Sequence, residues 1–345
     1  MRTAKKRTTT ARTLAPLLAA VLAGAAACAP DTSDDKGGGS DAGGGGKGKK
    51  VTLTLNWVPY GEHAAFYYGL EKGIYEKAGI DLTIKPGHGS AGTVKQVAQG
   101  HSDFGWADTP ALLAGVNEGM KVKSLGVYLQ KGPSSVQFLS DQKIKTPKDL
   151  EGKTVGGTPG DALYATFPGW LKENKVDPAK VKVVNMDPAA KIANLGAGKV
   201  DAIMGFFHDQ GPTVEDKTGK QVDYLLWADY GMNVLGNGIV TGDKMLGDDP
   251  KLAKAFTTAT AKAWTEAAKH QSEAVKIMSE SVDGAPPEKV LASQFKQTLP
   301  LLEGRHGAND EKKWQETIDL LKDGGMLKKA QAPSAYWDAS YAGQG

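Results

Sequence analysis

The sequence predicts an α/β protein of two lobes facing each other across a cleft, and three observations carry that expectation. Short apolar runs alternate with helical patterns from Lys50 onward. The same rhythm restarts after Leu150. A ten-residue stretch of the first half is echoed in the second.

In the first half, Val51–Asn56, Ile80–Ile84, Phe104–Trp106 and Ser124–Tyr128 read as strands. Helical patterns over Ala64–Lys77, Gly92–Gln99 and Pro110–Glu118 lie between them. Such alternation implies parallel strands with helices on both faces, because parallel neighbours need a crossover between them. After Leu150 come strands Thr154–Gly156, Val181–Val184 and Ala202–Gly205, with helices Asp161–Asn174 and Ala189–Leu195. From Asp249 the chain turns mostly helical: Lys251–Ser281, Glu288–Gln297 and Asp310–Leu321 carry apolar residues at three- and four-residue spacing.

The echo pairs Gln99–Asp108 with Ala197–Phe206. In each, a helix ends at Gly, an Asp follows three residues later, and a short apolar strand begins. Gly-x-x-Asp is common, so the echo alone establishes little. Ligands of open parallel sheets bind beyond the carboxyl ends of the strands, and two such halves set face to face make a cleft there.

The N-terminus carries a different signal. Arg2, Lys5, Lys6, Arg7 and Arg12 precede an apolar, small-residue run from Leu14 to Ala27. That run is too short to span a bilayer and reads as a secretory signal peptide over residues 1–27. The single cysteine, Cys28, stands where cleavage falls, after Ala25-Ala26-Ala27. It resembles the bacterial lipoprotein box, although that box prefers Leu where Ala25 stands. Lipidation of Cys28, with anchoring on the outer face of the cytoplasmic membrane, is the expectation; incidental cleavage near the alanines is the plain alternative. Residues 28–50 are Gly-rich and read as a disordered tether.

Charge and cysteine usage exclude several classes. Removing residues 1–27 takes away five positive charges and no negative ones, so the formal charge of +3 becomes −2. The positive excess belongs to the targeting segment, and nucleic-acid binding has no support. No Gly-x-Ser-x-Gly elbow occurs, the histidines do not pair at metal spacing, and no cysteine remains for a thiol nucleophile. No catalytic residue, metal or cofactor is expected. About 295 residues remain beyond the tether, enough for two lobes with separate cores.

Specific motifs add a family. The run Leu55-Asn56-Trp57-Val58-Pro59-Tyr60-Gly61-Glu62-His63-Ala64-Ala65-Phe66-Tyr67 is followed by Glu71-Lys72-Gly73-Ile74-Tyr75-Glu76-Lys77-Ala78-Gly79-Ile80. Then come Gly87–Ser90, Val97–Gly100 and Asp103–Gly105. The series resembles the solute-binding proteins of ABC importers for thiamine-pyrimidine precursors, taurine, alkanesulfonates and nitrate, from about Val51 to Ala330. The resemblance implies the two-lobed periplasmic-binding-protein (type II) fold, with mixed sheets and two hinge crossings near Ser135–Asp141 and Gly236–Thr241. Lobe 1 is then residues 51–137 and 240–345, and lobe 2 residues 138–239. It also implies a monomer that takes a small-molecule ligand and has a membrane permease as partner. Asn56, Trp57, Pro59 and His63 match the pyrimidine-precursor branch. That branch shows a Trp-Asn-Trp/His-Glu type of run where this chain has Gly205–Gln210, so here it departs from the pattern. A fungal pyrimidine synthase of the same fold is the enzyme alternative, but its cysteine-rich motif has no counterpart here.

Each candidate ligand residue has a bland alternative. Trp57 at a strand end can stack on a flat ligand or fill the core; Asn56 can reach a ring edge or serve a turn. His63 and Tyr60 open a helix and can satisfy local backbone groups instead. Asp108-Thr109-Pro110 reads first as a helix start, with Asp or Thr as cap. Thr158 and Asp161 flank a Gly-rich turn whose free N–H groups can hold an anion, or merely turn the chain. Phe206, Phe207, His208 and Asp209 supply aromatic and acidic groups on the second lobe, and Tyr230 lies on another edge loop. Beyond the signal peptide the one arginine is Arg305, in the helical tail. Oxyanion sites favour arginine forks. The acidic, aromatic edge loops (Glu62, Asp108, Asp161, Asp209 and Asp229 beside the rings) suit a flat, amine-bearing heterocycle such as an aminopyrimidine. A sulfonate, taurine or nitrate importer component is the runner-up.

Overall fold

The computed structural model describes residues 48–341 except 160, 304 and 305. The signal peptide, Cys28, most of the tether and Arg305 therefore lie outside the described residues. The chain runs β1 (Lys49–Thr54), α1 (Ala64–Glu71), α2 (Ile74–Lys77), β2 (Ile80–Lys85), α3 (Ser90–Ala98), β3 (Phe104–Asp108), α4 (Thr109–Asn117) and β4 (Val122–Val127). It continues with β5 (Ser134–Leu139), β6 (Thr154–Gly157), α5 (Ala162–Glu173), β7 (Lys182–Asn185), α6 (Pro188–Gly196), β8 (Ala202–Phe206), α7 (Phe207–Thr218) and β9 (Val222–Leu226). Then come β10 (Asn237–Gly242), α8 (Asp243–Asp248), α9 (Pro250–Lys269), α10 (Gln271–Ser281), α11 (Glu288–Thr298) and α12 (Glu311–Asp323).

Two five-stranded sheets result, ordered β2-β1-β3-β10-β4 and β7-β6-β8-β5-β9. Both are mixed. In each, the one strand antiparallel to its neighbours is the first laid down after the chain crosses between lobes: β5 in the second sheet, β10 in the first. The crossings are thus residues 128–133 and 231–236, and the segments expected as hinges are these two strands. A boundary at 137/138 would cut β5, and one at 239/240 would cut β10. The tether also ends earlier than expected, because Lys49 and Lys50 already pair with Ile80 and Asp81.

The sequence echo has a structural cause. β3 and β8 hold the same central place in the two sheet orders. Before each, a glycine in the left-handed region ends the helix, Gly100 (φ 72°) and Gly198 (φ 66°). The following carboxylate then clamps the neighbouring strand: Asp103 Oδ2 accepts from Thr52 N at 2.8 Å, and Asp201 Oδ2 from Thr154 N at 2.7 Å. Gly-x-x-Asp here is a sheet-fixing device used twice.

Each lobe has a core of its own, that of the second built on Leu139, Leu195, Ile203, Val214 and Val222, and a further cluster joins the two. One cluster packs α1, α9, α10 and α11 on the first sheet, with Phe66, Trp264 and Phe295 at its centre. A second runs through both lobes, joining Leu112 and Val127 to Trp170 and Trp227 through Trp314, Ile318 and Leu321 of α12. The helical tail is what couples them. The pattern read as one helix over 251–281 is two, broken at His270, and α7 covers residues read only as an edge segment.

Candidate functional site

The carboxyl ends of β1, β3 and β8 converge on a cleft between the lobes that encloses about 90 Å³. Asn56, Trp57 and Tyr60 after β1 and Asp108 at the end of β3 form one wall. Phe206, Asp209 and Gln210 at the start of α7, with Asp161 and Leu163 of the α5 entry and Lys191 of α6, form the other. Past Leu163 and Phe206 a smaller apolar recess continues toward Trp227, Val234 and Leu321.

The β1 end is held rigidly. Gly87 N donates to Trp57 O and Gly89 N to Asn56 O. A side chain at position 87 would bring Cβ to 1.8 Å from Leu55 O, so only glycine permits this approach. His63 Nε2 lies 2.8 Å from Asn56 Oδ1, while its Nδ1 accepts from Tyr60 N. With Nδ1 the acceptor, Nε2 carries the proton and Asn56 Oδ1 is spoken for. The Asn56 N–H groups are left for the Tyr60 hydroxyl and for the cleft that Asn56 lines. Burial lowers His63 to about 4, keeping the ring neutral in that role.

Below the cleft lies a buried carboxylate. Glu62 Oε1 accepts from Trp106 Nε1 at 2.5 Å and Asn237 Nδ2 at 2.6 Å. Its Oε2 accepts from Tyr60 Oη at 2.6 Å and from His208 Nε2 across the lobe boundary. Burial pushes this carboxyl up, but the hydrogen bond and charge of His208 outweigh it and leave the group at about 2. A second bridge runs beside it: Gln294 of α11 accepts from Gly61 N and donates to Asp209 O, both at 2.8 Å.

The cleft itself is short of counter-charge. Burial pushes Asp209 up to about 6, although His208 and Lys191 pull it down. Burial likewise raises Asp108 and Asp161 and lowers Lys191. Asp161 occupies the N-cap of α5, yet its side chain makes no cap bond, whereas Asp108 Oδ1 accepts from Ala111 N at 2.7 Å. Asp108 thus caps α4 and also lines the cleft. Among the described residues no three His, Cys, Asp or Glu side chains converge as metal ligands.

Of the residues singled out in the sequence, Asn56, Trp57, Tyr60, Asp108, Asp161, Phe206 and Asp209 meet at the cleft. Five do not. His63 and His208 are fully buried and act on Asn56 and Glu62. Phe207 packs against the first-lobe core, because the helix turns successive side chains about 100° apart and sends it away from Phe206. Thr158 stands off the cleft wall, and Tyr230 donates to Lys145 O at 3.2 Å while packing on Trp170. Glu62 has its oxygens taken by four donors, Trp106 is in the core, and Asp229 pairs with Lys131 on the surface. Gln210, part of the segment singled out after the β8 strand, also lines the cleft, whereas sequence reasoning missed Lys191 and Ser90. Lys191 had a signal: it sits four residues before Leu195, on the buried face of α6.

The sequence pattern of the family described as NMT1/THI5 like matches residues 61–274. The formylaminopyrimidine-binding protein of Halalkalibacterium halodurans is 22% identical over 282 residues, 79% of this chain and 84% of its own length. The riboflavin-binding protein RibY of Chloroflexus aurantiacus is 22% identical over 295 residues, 81% of this chain and 82% of its own. Among solved structures, the periplasmic aliphatic sulphonate binding protein SsuA of Escherichia coli superposes with a TM-score of 0.66. It is 14% identical and covers 84% of this chain and 92% of its own, a likeness of fold alone. No helix among the described residues is long and apolar enough to cross a membrane.

Proposed function

The chain belongs to the NMT1/THI5-like family, and from that premise we propose that it is the extracytoplasmic solute-binding component of an ABC importer. On this reading it is anchored through a lipidated Cys28 and captures a flat, amine-bearing heterocycle of the aminopyrimidine type between its lobes. The observation that carries the reading is the meeting of Trp57 and Asn56 from one lobe with Phe206 and Asp209 from the other around one cleft. Two aromatic side chains offer faces for stacking, worth roughly 1–3 kcal/mol. Asp209, Asp161 and Asp108 offer acceptors for an exocyclic amine.

Lys191 favours a second reading, an oxyanion ligand such as a sulfonate, because an ammonium lines the same cleft. Three carboxylates against one ammonium make that the weaker account. Calorimetric titration of wild type, Trp57→Ala and Asp209→Asn with 4-aminopyrimidine and with taurine separates the two. Ring binding weakened at least tenfold by either substitution supports the proposal; taurine binding that survives both substitutions defeats it.

A further inference from the structure

Lys191 is unusual for a lysine. It is only 4% exposed, and a buried ammonium ordinarily has a carboxylate partner and several hydrogen bonds. Here Nζ has one hydrogen bond, to Met204 O at 2.9 Å, and no ion pair within 4.0 Å among the described residues. The charges that act on it, Asp161 and Asp209 of the same wall, make no ion pair with it. Two of its three N–H donors are left without an acceptor among the described residues. Beside it on the cleft wall, Gln210 is 7% exposed and its Oε1 is buried without a partner. A cleft that keeps such groups unpaired recovers their desolvation cost only when a ligand pairs them.

We propose that Lys191 is a specificity-determining residue that donates to an acceptor atom on the ligand, so that the cleft requires an acceptor beside the amine rather than an amine alone. This rests on the heterocycle reading above and sharpens it. The ligand edge presents an N–H to Asp209 and a ring nitrogen or carbonyl oxygen to Lys191. Gln210, whose amide can turn either way, completes whichever edge arrives. A site with a committed donor rejects the analogue lacking the acceptor far more strongly than an apolar pocket rejects a missing methylene.

The test compares 4-aminopyrimidine, which has ring acceptors, with aniline, which has the same amine and a flat ring but none. Taurine is the anion control, and binding is followed by ligand-observed NMR titration of the full chain. Wild type should prefer 4-aminopyrimidine by about 10-fold or more. Lys191→Met, close in length and apolar, should lose most of that preference by weakening 4-aminopyrimidine and leaving aniline nearly unchanged. Its melting temperature should stay within a few degrees of wild type. Equal weakening of both rings, or no weakening, would overturn the role of Lys191 while leaving the heterocycle reading intact. Preferential taurine binding that Lys191→Met abolishes would instead overturn the heterocycle reading. Lys191→Gln serves if the methionine variant fails to fold, since it keeps a neutral donor and should retain part of the preference.

Discussion

Glu62 and His208, 146 residues apart, meet through Oε2 and Nε2 with both side chains fully buried, and that bond ties the first lobe to the second beneath the cleft. A buried carboxylate is tolerable only when its lone pairs are satisfied, and Trp106, Asn237, Tyr60 and His208 supply four donors. Removing one partner leaves a charge without compensation. We expect His208→Phe to lose about 3–5 kcal/mol of stability in denaturant titrations. The ligand-free variant should also show a larger radius of gyration than wild type by small-angle scattering. An unchanged radius would mean that Gln294 and α11 hold the lobes without this bond.

The pH dependence of stability follows from three buried groups, with signs that oppose. His63 is lowered from 6.5 to about 4, so its contribution is present above 6.5 and lost as pH falls through 4. Asp209 is raised from 3.8 to about 6, so its contribution is present below 3.8 and lost as pH rises through 6. The two windows nearly coincide and the slopes nearly cancel. Glu62, lowered from 4.5 to about 2, contributes above 4.5 and loses that contribution as pH falls toward 2. Ligand-free wild type should therefore change little in stability from pH 6.5 to 4 on account of these groups, then fall steeply. In that upper window Asp209→Asn should become less stable as pH drops, and His63→Gln more stable. Parallel curves for all three proteins would refute the assignment.

Asn56 lines the cleft with its oxygen claimed by His63, which leaves its N–H groups as donors. Asn56→Asp replaces those donors with a carboxylate facing Asp108 and Asp209. Affinity for 4-aminopyrimidine should fall at least tenfold, roughly the loss of one hydrogen bond plus an added repulsion. Calorimetry on the variant, with its folding checked by circular dichroism, measures this directly.

Lobe closure is expected to respond to ligand. A ligand touching both walls stabilises the closed arrangement only by its greater affinity for it. Saturating 4-aminopyrimidine should shrink the radius of gyration of wild type, and shrink that of His208→Phe by more. A ligand that leaves both unchanged would place binding on one lobe.

The proposed anchoring rests on Cys28, the sole cysteine, directly after the apolar run of residues 14–27. Cys28→Ser should move the protein from the membrane fraction to the medium. Retention of the variant on membranes to the wild-type extent would rule out lipidation at that residue.

The sequence by itself determined the α/β rhythm, the paired Gly-x-x-Asp devices and the Asn56–Trp57 wall, because these are local: periodicity, a cap and a motif are written in neighbouring residues. β10 escaped notice because it opens with Asn237-Gly238, a turn signal, and β5 because Gln137 and two serines interrupt its apolar run. Both become strands only when the other lobe's sheet offers them an edge. Tertiary structure alone decided that Glu62 and His208 pair, that Phe207 turns into the core while Phe206 faces the cleft, and that Lys191 is enclosed with Asp161 and Asp209. Each depends on elements far apart in sequence coming to one place. The charge of a residue is legible along the chain, but its desolvation and its partners exist only once the lobes have met.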